Sequence, residues 1–264
     1  MTWPGGHRSV VPFPVPRSLF PLVILLLGCR GSLSPLSNKL DIGEEAYLVF
    51  AADGEEGQGD LFASTLSGGT PYQVTFTRVD ERLAALSPDG VMLAFVRARF
   101  PADDRRWLIV MNLLSGAERQ AEIRGVVPEA TGWAPDGRRI FVRGGNTVLM
   151  TAAPPGEVEL SEVVEAEQVA AESGLAVLLG DPPVGVVVPC ADGGICVRLS
   201  GDTLATVSAS ATNPVRWAGD SLAYLEGGEW TVRPLAGGRT RILRWTRPPS
   251  RPRDLTMFPG RARR

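Results

Sequence analysis

The sequence predicts an all-β fold. The expected architecture is a β-propeller of four-stranded antiparallel blades, five in number, with a six-bladed ring carrying one partial blade as the alternative. Two observations predict it. A short turn motif flanked by apolar segments recurs at a spacing near 45 residues, the length of one four-stranded blade. The composition agrees: 264 residues include 30 glycines and 22 prolines, with aromatics at only 7%. That balance favours many turns and short strands over long helices. With 44% hydrophobic and 21% charged residues the chain has the profile of a globular protein rather than a disordered one.

Residues 1–28 read as a targeting segment. Arg8 and Arg17 precede a nine-residue apolar run, Leu19 to Leu27, which is too short to span a bilayer but suits a signal-peptide core. The run ends in Leu26-Leu27-Gly28-Cys29, which resembles the bacterial lipobox. The resemblance implies cleavage before Cys29 and lipidation of its thiol, hence a membrane contact through an N-terminal lipid anchor. Arg30, where aspartate would retain a lipoprotein at the inner membrane in the enterobacterial rule, points to the outer membrane. Residues 29–43, rich in Ser, Gly and Leu, are expected to be a tether.

The propeller is expected over 44–247. Three segments carry the motif clearly: Leu86-Ser87-Pro88-Asp89-Gly90 before Leu93 to Val96, Trp133-Ala134-Pro135-Asp136-Gly137 before Ile140 to Val142, and Trp217-Ala218-Gly219-Asp220-Ser221 before Leu222 to Leu225. In Ser-Pro-Asp-Gly, Ser takes position i of a type I turn, Pro presets the backbone at i+1, Asp suits i+2 and Gly follows. Each motif therefore reads as an inner strand, a tight turn and a second strand. Two weaker copies lie at Val49-Phe50-Ala51 and at Val177-Leu178-Leu179. The aligned apolar positions Phe50, Phe95, Phe141, Leu178 and Tyr224 fall 45, 46, 37 and 46 residues apart. Asp60 to Ser64, Trp107 to Met111 and Trp230 to Arg233 read as third strands, and Pro71 to Phe76 and Thr240 to Leu243 as outer strands. The first blade lacks an inner strand of its own. Residues 248–264 form a Pro/Arg-rich tail in which Arg253 to Phe258 looks like one more strand, placed to close the ring on an end blade and protect its edges.

The motif, its Ala-Phe or Ile-Phe second strand and the Gly68-Gly69 to Gln73-Val74-Thr75 ending together resemble the TolB-type β-propeller repeat over roughly residues 45–245. The resemblance implies a fold and a broad loop-bearing face. No room is expected in this sequence for the amino-terminal domain that TolB itself carries.

The only histidine, His7, lies in the targeting segment, so a Ser-His-Asp triad, a Cys-His dyad and a His-Glu-x-x-His zinc site are all excluded from the mature chain. No Gly-x-Ser-x-Gly elbow and no phosphate-binding Gly-x-x-x-x-Gly-Lys loop occurs. No catalytic residue, metal ligand or cofactor is assigned. With 27 basic and 29 acidic residues there is no field suited to nucleic acid. Cys190 and Cys196 flank a turn-rich hairpin tip and are expected to form a disulfide in an oxidising compartment, against two free thiols or a bound ion. The acidic stretch Asp53 to Asp60 reads as a solvated hairpin tip, with calcium as the rival occupant. Trp133, Trp217 and the motif aspartates Asp89, Asp136 and Asp220 read as structural. Nine arginines against one acid after residue 238 suit either a soluble tail or contact with phosphate-bearing lipid. The expected role is a non-catalytic binding or scaffold module for a protein or envelope component. The alternative is a carbohydrate-active lyase or glycosidase using channel carboxylates.

Overall fold

A computed structural model describes residues 36, 39–54, 57–98, 105–153, 160–162, 187–198, 204–217, 221–234, 239–247 and 249–261. All belong to one compact unit, Ser32–Arg264. Cys29, Leu178, Gly219 and Asp220 lie outside the described residues, as does the side chain of Trp217. The described residues contain nineteen strands and no α-helix.

The strands form five sheets, paired antiparallel throughout. The first holds β1 (Tyr47–Asp53), β2 (Gly59–Thr65) and β3 (Gly68–Gln73). The second holds β4 (Asp80–Leu86), β5 (Met92–Ala98), β6 (Arg106–Asn112) and β7 (Glu118–Ile123). The third holds β8 (Ala130–Trp133), β9 (Arg139–Gly144), β10 (Thr147–Ala152) and β11 (Ser161–Glu162). The fourth has β12 (Val187–Pro189), β13 (Ile195–Arg198) and β14 (Leu204–Ser208). The fifth has β15 (Thr212–Trp217), β16 (Ser221–Glu226), β17 (Glu229–Pro234) and β18 (Arg241–Ile242). The last strand, β19 (Ser250–Phe258), returns to the first sheet and lies outside β1, giving the order β19-β1-β2-β3. Its register runs from Tyr47 opposite Phe258 to Asp53 opposite Ser250. The segment read as a tail thus occupies the place that β4, β8 and β15 hold in their own sheets.

The packing explains why second strands read as unbroken apolar runs. Along β1, Tyr47, Val49 and Ala51 pack with Leu86, Leu93 and Phe95 of the second sheet. The alternate residues Leu48, Phe50 and Ala52 pack with Ala223, Trp230 and Val232 of the fifth. Successive side chains of a strand point to opposite faces, so a strand between two sheets must be apolar at every position. β5 repeats the pattern: Leu93 and Phe95 face the first sheet, while Ala94 and Val96 face Ile140 and Val142 of the third. Ile195 of the fourth sheet packs with Leu222 and Tyr224 of the fifth. The sheets therefore stack face to face in the order third, second, first, fifth, fourth. Their leading strands lie side by side, with β4 against both β19 and β8, and β19 against β15.

The turn motif has two jobs. Within its own turn, the Gly90 amide donates to the Ser87 carbonyl at 2.9 Å and the Val91 amide donates to Asp89 Oδ1 at 3.0 Å. In the third sheet Gly137 N–H bonds the Ala134 carbonyl and Arg138 N–H bonds Asp136 Oδ1, each at 2.9 Å. Between sheets, the turn is a seat for its neighbour. Gly90 has φ +69° and lies beneath the Phe258 ring, and the Tyr47 hydroxyl donates to its carbonyl. Gly137, also at φ +69°, faces Pro88. Trp133 is half-buried and donates its indole N–H to the Ala85 carbonyl at 2.9 Å, a bond between sheets.

The segment read as a tether is partly core: Leu36, Leu40 and Ile42 are buried against the first and second sheets. The described strands of the fourth sheet include the hairpin Val187 to Arg198; the expected anchor of that repeat, Leu178, lies outside the described residues.

Candidate functional site

The sheets have two ends. At one end lie the motif turns, together with Gly43 against Val91 and the contact between Arg261 and Glu44. At the other lie the hairpin tips after β1 and β16 and the connections entering β4 and β19. Between the fifth and first sheets this hairpin end opens into a cleft of about 1410 Å³. Its walls come from Gly228, Trp230 and Trp245 on one side and Asp53, Gln58 and Asp80 on the other, with Ser250 to Arg253 between them.

Arg253 organises the cleft. It sits opposite Ala51 on β19, and its guanidinium reaches Asp53 at 2.9 Å and Asp80 at 3.7 Å. Asp80 also accepts from the Gly59 amide at 3.0 Å and pairs with Arg82. Arg251 approaches Asp53 at 3.7 Å. The carboxylates are recessed, with side-chain exposures of 17% for Asp53 and 13% for Asp80, whereas Arg82 and Arg251 stand out at 54% and 83%. The charges of the cleft nearly balance, since the exposed Glu229 lines it together with Arg82, Arg244 and Arg251. Trp245 lies flat on Phe50, ring centroids 4.4 Å apart. The buried indole N–H groups of Trp230 and Trp245 have no acceptor among the described residues.

The acidic loop and the arginine-rich segment, which the sequence invites one to read separately, meet here. Asp53 is matched by Arg253 rather than solvated, and Asp60 is buried and accepts from the Gln73 amide at 2.9 Å. Among the described residues no group of three or more His, Cys, Asp and Glu side chains is placed to hold a metal ion. The arginine-rich segment is not a frayed tail over 250–258: it is β19. Arg82 and Asp80 carried no motif that sequence reading could detect.

One carboxyl departs clearly from ordinary behaviour. Glu81, fully buried on β4, accepts from Arg97 at 2.7 Å. Burial raises its pKa, opposed by Arg97 and by the Thr75 and Thr77 hydroxyls. Arg97 is in turn drawn down by burial, but this is outweighed by Glu118 and Glu81, so it holds its proton more firmly than a free guanidinium. Glu81 does not line the cleft. Arg97 does line a neighbouring recess of about 430 Å³ with Arg78, Arg105 and Trp107. Cys190 and Cys196 are joined by a disulfide across the β12–β13 hairpin tip.

No family model and no curated protein matches the sequence. Solved structures do. TolB from Acinetobacter baumannii superposes with a TM-score of 0.51 at 13% identity, covering 80% of this chain and 66% of that one. The fold is a TolB-like β-propeller. A TolB-assigned protein from Agrobacterium tumefaciens (TM-score 0.37, 16% identity, 75% of this chain and 61% of that one) is also similar. So is the β-propeller domain of the Trilobed protease from Pyrococcus furiosus, which has an open velcro topology (TM-score 0.33, 16% identity, 76% and 53%). This chain spans about two thirds or less of the length of each.

Proposed function

We propose that the chain is an exported, lipid-anchored β-propeller of five blades whose hairpin face is a non-catalytic binding surface for a protein or envelope component. In this reading Cys29 carries the lipid, the protein resides in the bacterial cell envelope at the outer membrane, and β19 closes the ring by completing the first blade. The TolB-like fold supports a rigid disc that presents loops from several sheets on one face.

The observation that carries the non-catalytic reading is the sharing of one guanidinium, Arg253, by both recessed aspartates of the cleft. A glycosidase needs one carboxyl that gives up a proton and a second that acts on the sugar. Here the carboxyl with the raised pKa is Glu81, sealed outside the cleft and bound to Arg97. Affinity capture from envelope extracts with the full chain tests the proposal. The expected result is co-purification of a macromolecule without turnover. Turnover of a small substrate with nothing co-purifying overturns it. Mass spectrometry of the mature N-terminus is expected to show a diacylglyceryl-modified Cys29.

A further inference from the structure

The outer edges of the sheets differ in charge. Residues 61–79 and 230–253, which supply the outer strands β3 and β18 with their flanks, contain no acidic residue. The second stretch carries seven arginines, of which Arg251 and Arg253 are held by Asp53. Arg239, Arg244 and Arg247 are exposed and have no ion pair among the described residues. The two edges are joined. The Gly69 amide donates to the Arg244 carbonyl at 3.2 Å, and the Thr246 amide donates to the Gly69 carbonyl at 2.9 Å. Exposed Lys39 extends the edge, its ammonium 5.8 Å from the centroid of the Tyr72 ring on β3. The outer strands of the second and third sheets are different: β7 carries Glu118 and Glu122, and β11 ends in Glu162. In the fifth sheet the described acids, Glu226 and Glu229, flank the β16–β17 tip at the hairpin end.

We propose that this joined edge lies on the phosphate-bearing lipid surface to which Cys29 anchors the chain. The inference rests on the lipid-anchor reading and says which side of the protein faces the membrane. Position selects this occupant first. Leu36 is fully buried against the first and second sheets. Cys29 precedes it by seven residues, which span at most about 25 Å when extended, so the anchored lipid is never far from the first sheet. The arginine run starts at the same end of the sheets. Ser221 pairs with Trp217 and with Pro234, so β17 finishes at the turn end, where Gly43 and Glu44 also lie. Chemistry agrees with position. An anionic leaflet attracts each basic side chain near its surface, and guanidiniums form paired hydrogen bonds with phosphate. Cations strung along an edge suit a surface of many headgroups. The edge also offers apolar side chains to the interfacial layer: Ile242 on β18 is 42% exposed and Phe76, three residues beyond β3, is 71% exposed. An acidic polypeptide would meet the same charges, but only the bilayer is brought to this edge by the chain's own anchor. Glu118, Glu122 and Glu162 turn the other outer edges away from an anionic surface.

The test is co-sedimentation with vesicles of the chain from residue 29 onward, which holds the whole compact unit Ser32–Arg264. It carries Cys29→Ser, so that no acyl chain contributes. Vesicles of mixed phosphatidylglycerol and phosphatidylcholine are expected to bind it, and vesicles of phosphatidylcholine alone are not, with binding falling as salt rises. Arg239→Gln, Arg244→Gln and Arg247→Gln together are expected to weaken binding about a hundredfold, the combined effect of three basic side chains at an anionic leaflet. All three are exposed, so this variant should melt like the parent. Arg119→Gln, Arg124→Gln and Arg138→Gln remove the same charge from the second and third sheets and are expected to weaken binding less than threefold, on the order of the screened long-range effect. Equal weakening by the two triple variants, or no preference for anionic vesicles, overturns the inference. So does binding of hexaglutamate as tight as that of the vesicles, which would assign the edge to an acidic polypeptide. The two readings fail differently. A preference for anionic vesicles in a chain whose native N-terminus carries no lipid sinks the anchor and leaves the lipid-facing edge. A lipidated Cys29 without that preference sinks the edge and leaves the anchor.

Discussion

The first and fourth sheets are held together by opposite means. The first is completed by residues some 200 positions apart in sequence: β19 lies along β1, Arg253 pairs with Asp53, and Phe258 covers Gly90 and packs on Tyr47 at 5.7 Å between centroids. Asp254 accepts from the Leu83 amide at 3.0 Å, and Thr256 Oγ1 from the Leu86 amide at 3.2 Å, so the same strand ties the first sheet to the second. The fourth sheet is stapled by a disulfide between residues six apart. Long-range packing yields many contacts but requires the whole chain to be ordered first. A short covalent loop requires nothing distant, and restricts the unfolded chain little.

Removing β19 should separate the two most sharply. Truncation after Arg247 uncovers an edge of β1 and removes Leu255 and Phe258 from the core. A buried large side chain contributes about 2–5 kcal/mol, so the loss should rival the stability of a whole domain, about 5–15 kcal/mol. Circular dichroism is expected to show no cooperative melt. A truncated chain that melts like the intact one would show that β19 is an accessory.

Gly90→Ala attacks the same seam at a point. A Cβ there would lie 2.5 Å from the Phe258 ring at a left-handed backbone, so the cost should be about 2–4 kcal/mol. Gly137→Ala, with the same φ but only Pro88 at 3.8 Å, should cost about 1 kcal/mol, the backbone share alone. Equal losses in urea melts would mean that Phe258 does not bear on the turn. On the other side of the comparison, Cys190→Ser with Cys196→Ser should cost about 2 kcal/mol, as the chain-entropy relation gives for so short a loop. A reductant should lower the melting temperature of the parent chain and leave this variant unmoved.

The smallest effect is a pH dependence confined to the seam of the first and second sheets. Burial raises the Glu81 pKa, so the folded state holds this proton more tightly than the unfolded state. The stability it brings is fully present below the ordinary glutamate pKa of about 4.3, and is lost as pH rises through the folded value. Urea midpoints of the parent should fall over that window, while Glu81→Gln should flatten the slope. A slope that survives the substitution would assign it to another group.

The sequence comparison is instructive where it is uneven. The sheets with full Pro-Asp-Gly turns, the second and third, could be placed from turn chemistry alone, because i to i+3 bonding is local and Pro, Asp and Gly have distinct backbone demands. The β19 strand was visible because Arg253 to Phe258 echoes Gln73 to Phe76, and the incomplete first blade supplied a reason for it. Arg253 as the partner of Asp53 and Asp80 was not visible. Charge pairing over 200 residues leaves no spacing to read, and acids and bases at surface loops look alike whether or not they meet.

The last strand also sets an order of events. The ribosome makes Tyr47 some 200 residues before its cross-strand neighbour Phe258, so the first sheet to emerge is the last that can be finished. A prematurely terminated product therefore exposes an open β1 edge, a ready substrate for proteases, which β19 hides once it is made.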